Sequence, residues 1–182
     1  SVGRRSDGRV VAWGGNTDCQ CNVPAPPPGQ TNDAVAVGDR HTVVLRSDGT
    51  LVVWGYNGYG LWNVPALPPG LSYVEVAGGY AHSIARLSDG SVVAWGSNGN
   101  GQCSVPALPA GLAYVEVDAG AWHSVARRSD GSVVGWGYNI TGQCRTPAPP
   151  PGAKYVQFDA DMYYTVALAS DVVWTGDPQG PQ

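Results

Sequence analysis

One phrase returns along this chain at a fixed step of 41 residues, and that step restricts the fold more than any other feature. Its four full copies are Ser6–Gly14 (SDGRVVAWG), Ser47–Gly55 (SDGTLVVWG), Ser88–Gly96 (SDGSVVAWG) and Ser129–Gly137 (SDGSVVGWG). They put Trp13, Trp54, Trp95 and Trp136 at one repeat position. A shortened fifth copy follows, Ser170-Asp171 and then Val172-Val173-Trp174. A period of this size marks stacked supersecondary units, none of which can bury its apolar face alone. The chain divides into a partial repeat, 1–14, then 15–55, 56–96, 97–137 and 138–176, with a tail at 177–182.

Each phrase reads as a turn followed by a strand. An alternating run such as His123–Arg128 precedes it, and Asp-Gly between two such runs is a strong hairpin signal, because Gly tolerates the positive φ of the turn. Val-Val-x-Trp supplies a β-rich strand, and its indole is expected to be buried between neighbouring units. Upstream lie a loop, a proline segment such as Pro26–Gly29, and a strand at 33–37, 73–77, 114–118 and 155–159. A short Gly-centred bend then leads into the hairpin. The proline segments must run extended on the surface, since Pro cannot donate to a ladder. That makes about three strands per repeat, with a further short one at the Val-Pro. No segment has helical period. The reading is all-β, and three or four antiparallel strands per repeat fit a propeller blade.

Formal net charge is −4, and Lys154 is the only lysine, so the chain has no basic face for nucleic acid. No apolar run approaches the length of a membrane span, so no membrane insertion is expected. Extracellular or cell-surface localisation is favoured. Ser1-Val2 align with Thr42-Val43, in mid-strand. The expectation is a part of a larger propeller, its strand edges covered by missing blades or by another chain.

Three blocks carry a resemblance. They are G-x-x-H-[ST] (Gly38–Thr42, Gly79–Ser83, Gly120–Ser124), S-D-G-x-V-x-x-W-G, and N-x-x-G-Q-x-x-x-P (Asn98–Pro106, Asn139–Pro147). Together they resemble the regulator of chromosome condensation repeat, and the proline-rich spacing is most similar to bacterial members such as the type II β-lactamase inhibitor protein. The resemblance implies a propeller, commonly of seven blades, whose loops on one face dock onto a partner.

Chemistry-bearing residues are sparse. His41, His82 and His123 share one repeat position, filled by Tyr164 in the last repeat. A ring of imidazoles could bind a metal. A His that travels with the repeat is better read as structural, bonding neighbouring backbone. Asp7, Asp48, Asp89, Asp130 and Asp171 sit in turns where Asp bonds its own backbone, on different blades, so they cannot pair for acid–base work. No catalytic residue, metal site or cofactor is assigned, and the chain is read as not an enzyme. Cys19, Cys21, Cys103 and Cys144 read as small buried hydrophobes. Asn139-Ile140-Thr141 is a glycosylation sequon in a loop.

The informative positions are those where the repeats differ, because repeat proteins hold their cores constant and vary their surfaces. Two sets stand out, the pair before the His position and the loop after Trp-Gly. Both join strands at the same end of the blade. They place Asp39, Arg40, Tyr56, Tyr59, Tyr80, Trp122, Tyr138, Met162 and Tyr163 on one face. Tyr, Trp, Met and Arg are enriched at interface cores. The expected partner is another protein; a structural or display role, a glycan-binding module and an inhibitor of a secreted enzyme are the alternatives.

Overall fold

A computed structural model describes residues 1–170. The shortened copy from Asp171 onward and the tail 177–182 lie outside the described residues. The chain is a partial β-propeller. A leading hairpin pairs β1 (Val2–Arg4) with β2 (Val10–Ala12). Three blades follow, each of three antiparallel strands in chain order: β3 (Asn32–Val37), β4 (His41–Arg46) and β5 (Leu51–Gly55); β6 (Tyr73–Gly78), β7 (His82–Leu87) and β8 (Val92–Gly96); β9 (Tyr114–Ala119), β10 (His123–Arg128) and β11 (Val133–Gly137). A last sheet pairs β12 (Tyr155–Ala160) with β13 (Thr165–Ala169). The first strands β3, β6, β9 and β12 lie side by side along the inner edge of the arc.

The Ser-Asp-Gly turn forms for local reasons. Asp89 Oδ1 accepts from the Ser91 amide at 2.9 Å and from its hydroxyl at 2.6 Å, and Gly90 has a φ of +81°. Asp48 and Asp130 make the same pair of bonds, and these hold all three carboxyls below the usual range. The turn serines reach outward: Ser88 Oγ accepts from the Ser72 amide, which fastens the hairpin to the chain entering the blade. The turn glycine carbonyls then receive the next blade, as in the bond from the Tyr114 amide to Gly90 O at 2.9 Å.

The core is a series of slabs between successive blades. Leu45 of one blade packs with Tyr73, Ala85, Leu87 and Trp95 of the next, and Ile84 packs with Tyr114, Val117 and Trp136 one step on. Trp54, Trp95 and Trp136 are buried, and each indole N–H donates to a carbonyl 34 residues earlier: Gln20, Leu61 and Gln102, at 2.8–2.9 Å.

Trp13 corrects the expectation for its position, being 56% exposed. Each buried indole meets a carbonyl in the loop of its own repeat, and among the described residues Trp13 makes no such bond. The extra strand expected at the Val-Pro is not formed either. There the proline carbonyl is taken by a side chain: Tyr114 Oη donates to Pro106 O at 2.8 Å, and Tyr155 Oη to Pro147 O at 2.9 Å.

Cys19 is the one described non-glycine residue with a positive φ, 63°, at a position held by Gly60, Gly101 and Gly142 in the other repeats. Its Cβ strains that left-handed conformation. Cys19→Gly is therefore expected to raise stability by about 0.5–1 kcal/mol, read as an upward shift of the denaturant midpoint; a lower midpoint would refute the strain.

Candidate functional site: a loop face of aromatic rings

The bend before each middle strand and the loop after each Trp-Gly are tied at one end of the blade. The Tyr56 amide donates to Arg40 O at 2.9 Å, Ser97 to Ala81 O at 2.8 Å, and Tyr138 to Trp122 O at 2.9 Å. The glycine between, such as Gly96 with φ +101°, has no room for a Cβ against the Ala81 carbonyl. The loops are built from within. Asn98 Oδ1 accepts from the Cys103 amide at 2.8 Å, and Gln102 Oε1 accepts from the Asn100 amide at 2.9 Å. Variable side chains thus ride on a repeated, internally bonded frame.

On that frame the structure brings most of the variable set together. Arg40 forms a two-pronged ion pair with Asp18, Nε to Oδ2 at 2.8 Å and Nη2 to Oδ1 at 3.0 Å, and its guanidinium carbon lies 4.4 Å over the Tyr56 ring. The Asp18 carboxylate holds the Arg40 pKa above its ordinary value. Tyr59 meets Tyr56 edge-on at 5.9 Å. Tyr80 stacks on Trp122 with ring centroids 4.4 Å apart. Trp122, Tyr138 and Tyr163 frame a hollow of about 220 Å³ with Asn100. Tyr59, Met162 and Tyr163 are each about half exposed, at 49%, 55% and 51%. Asp39 is exposed on the same face and lines, with Tyr80, Asp161 and Met162, a groove of about 270 Å³ floored by Gly38, Gly79 and Gly120.

Sequence reasoning missed Asp161 and Tyr164. The Tyr164 hydroxyl donates to Asp161 Oδ2 at 2.7 Å and holds that carboxyl below its usual range. The signal was present, because this pair replaces the Gly and His of the other repeats.

The histidines sit beneath this face and bond differently from the expectation. His82 Nε2 lies 2.9 Å from Ser124 Oγ, a side chain of the next blade and not neighbouring backbone; His41 meets Ser83 at 2.8 Å and His123 meets Thr165 at 3.0 Å. Ser124 Oγ donates its single proton to Gln102 O at 2.9 Å, so it must accept from His82, which fixes the proton on Nε2. Burial pushes the His41 pKa down to about 4 and that of His82 to about 3. Both rings are neutral near pH 7. The glycine three residues before each His allows this: a Cβ at Gly79 would run into the His82 ring and the Gly120 carbonyl.

The cysteines are free thiols. Cys103 Sγ donates to Ser97 O at 3.2 Å and Cys144 Sγ to Tyr138 O at 3.3 Å, and burial pushes both thiols up to about 11. Cys19 is exposed, against the expectation of a buried hydrophobe, because it occupies a turn position in the loop. Asn139 is exposed, and its Oδ1 accepts from the Cys144 amide at 2.9 Å.

Three stretches, residues 33–61, 73–102 and 114–143, match the sequence model of the regulator of chromosome condensation (RCC1) repeat. These stretches, just under half of the chain, are similar to that repeat. A comparison with curated protein sequences returns no match. Among solved structures, Prp20p of Saccharomyces cerevisiae is similar with a TM-score of 0.77 at 19% identity, over 90% of this chain and 52% of that one. Human WBSCR16 is similar with a TM-score of 0.73 at 18% identity, over 92% of this chain and 55% of that one. The ectodomain of the Physcomitrella patens receptor kinase CR4 gives 0.69 at 20% identity, over 94% and 49%. The chain thus spans about half the length of these structures, and at such identities the likeness concerns the fold. Prp20p is described with binding properties toward Gsp1p and histones, and also in a complex with Kap60. Among the described residues, no helix is long and apolar enough to cross a membrane.

Proposed function

We propose that the chain is a non-enzymatic binding module and that its ring-bearing loop face docks onto another protein. One observation carries this reading: a repeated frame presents non-repeated side chains, and these gather at one end of the blades as stacked and half-exposed rings. Rings that only packed the scaffold would recur with the scaffold, as Trp54, Trp95 and Trp136 do. The protein binding described for Prp20p, a propeller of similar fold, supports the same class of function.

The test is Tyr80→Ala with Trp122→Ala. Partner capture from a native extract, followed by titration of the purified partner, should lose binding at least about tenfold, while the melting temperature moves by under about 3 °C. Unfolding of the double variant would make those rings core and overturn the docking face. The alternatives are separable. A glycan array that binds through the same rings would favour a sugar-stacking module. Inhibition of a secreted hydrolase would narrow the partner to an enzyme. A chain that binds nothing and only spaces its neighbours would be a display element. Asn139 is proposed as a glycan acceptor only if the source glycosylates secreted proteins; an intact-mass shift removed by Asn139→Gln is the check.

A further inference from the structure

The polar part of the groove at the inner edge of the loop face is rich in acceptors, and its only charged side chains are acidic. Its floor is backbone from successive blades: Gly79, Gly120 and Asp161 each turn a carbonyl oxygen onto the residue at the preceding blade's glycine position. Among the described residues, none of these three oxygens accepts a backbone or side-chain hydrogen bond. The corresponding N–H groups are all consumed, Gly79 N by His82 O at 2.9 Å, Gly120 N by His123 O at 3.0 Å and Asp161 N by Tyr164 O at 3.0 Å. The groove therefore offers acceptors and no free backbone donor from these residues. The carboxylates of Asp39 and Asp161 belong to the first and last of the four blades that line it, and no cationic side chain is among its lining residues. Its wall includes Tyr80, whose ring is stacked on Trp122.

We infer that the groove takes cationic side chains from an extended basic segment of a partner protein, with arginine or lysine lying between the carbonyl row, the two carboxylates and the Tyr80–Trp122 stack. The physical ground is complementarity. A lining rich in acceptors suits guanidinium and ammonium groups, which are donors only, and an aromatic face adds attraction for a cation. The same face already holds one guanidinium in this way: Arg40 sits between the Asp18 carboxylate and the Tyr56 ring. Asp39 and Asp161 stand at opposite ends of a groove crossing four blades, so a chain with spaced charges fits it better than a single ion.

The inference rests on the loop face being a protein-docking surface, and the experiment separates the two. The probe is a capped nonapeptide of alternating arginine and glycine, titrated into the full chain and followed by Trp fluorescence and calorimetry. Its control replaces every arginine by citrulline, which keeps the shape and removes the charge. The arginine peptide is expected to bind at least about tenfold more tightly than the citrulline peptide, one charge-assisted contact being equivalent to about that factor. Asp39→Asn, an exposed position outside the scaffold bonds described, should weaken it several-fold, and Asp39→Asn with Asp161→Asn at least about tenfold, whereas Tyr164→Phe, which removes only the hydroxyl bond to Asp161, should leave binding within about twofold. Equal binding of both peptides, or no loss in the single and double variants, would overturn the inference. Calcium ion alone displacing the peptide at stoichiometric levels would also overturn it, by making the groove a metal site. If Tyr80 and Trp122 prove essential for a protein partner while the arginine peptide fails to bind, the docking surface stands and the cationic ligand falls.

Discussion

Trp95→Ala is expected to lower the unfolding free energy by about 3–5 kcal/mol, the range for deleting a large buried ring. The loss has two parts. The indole lies in the slab with Leu45, Tyr73, Ala85 and Leu87, so its removal opens a cavity between two blades. Its N–H also leaves Leu61 O without the donor it meets at 2.8 Å. The comparison that makes the result decisive is Trp13→Ala. That residue holds the same place in the repeat but is half exposed, and about 1 kcal/mol or less is expected from it. Equilibrium denaturation of both variants measures the difference. A loss under about 1 kcal/mol at Trp95, or equal losses at both sites, would show that the blades are not held by these rings.

Mild acid should destabilise the protein by a comparable amount. Burial holds His41 at a pKa of about 4 and His82 at about 3, against an ordinary value of 6.5. Below about pH 6.5 the unfolded chain binds protons at both residues and the folded chain refuses them, so stability falls as pH falls, until the folded values are reached. Each histidine contributes roughly 1.4 kcal/mol per pH unit within that window, so about 3–4 kcal/mol is lost between pH 7 and pH 5. Between pH 8 and pH 7 these residues contribute little change. Below about pH 4 the turn carboxylates Asp48, Asp89 and Asp130, held low in the folded state, add their own loss on protonation. Urea midpoints across this range give the slope, to which His123, also held low by burial, adds, and His82→Gln should remove its own share of roughly 1.4 kcal/mol per pH unit between about pH 6.5 and 5. A midpoint that does not move between pH 7 and pH 5 would mean the imidazoles are charged in the fold.

Most of the architecture was legible in the chain because its signals are local. The hairpin at Ser129-Asp130-Gly131 and the strand His123–Arg128 stand where alternation and turn chemistry put them. The inner strands differ from expectation by a single residue at an end, as at Gly78 and Ala119. What joins the blades was not legible. Each His-to-hydroxyl contact spans 42 residues and each indole-to-carbonyl contact 34, and neither distance is the repeat step itself. Such contacts arise only once the blades are stacked, so no window along the chain carries them. Ser83 and Ser124, each following a His, were visible as recurring letters without a partner, and the partner of each lies one blade back. Trp13 illustrates the same point, since its strand reads like the other three while its indole is exposed and bonds no loop carbonyl among the described residues. In the loop face, type and position of the rings were legible, whereas the Arg40–Asp18 clamp and the Asp161–Tyr164 pair depend on side chains meeting across loops.

The bonds that tie the blades recur along the arc: imidazole to hydroxyl, indole to carbonyl and strand amide to turn glycine three times each, and hydroxyl to loop carbonyl from Thr42, Ser124 and Thr165 but not from Ser83. Every blade therefore carries the same plug on one side and the same socket on the other. A cassette of this kind can be duplicated or lost as a whole unit without creating an ill-fitting joint. Blade number and loop chemistry can then change on separate evolutionary clocks, the first in whole units of 41 residues and the second one side chain at a time.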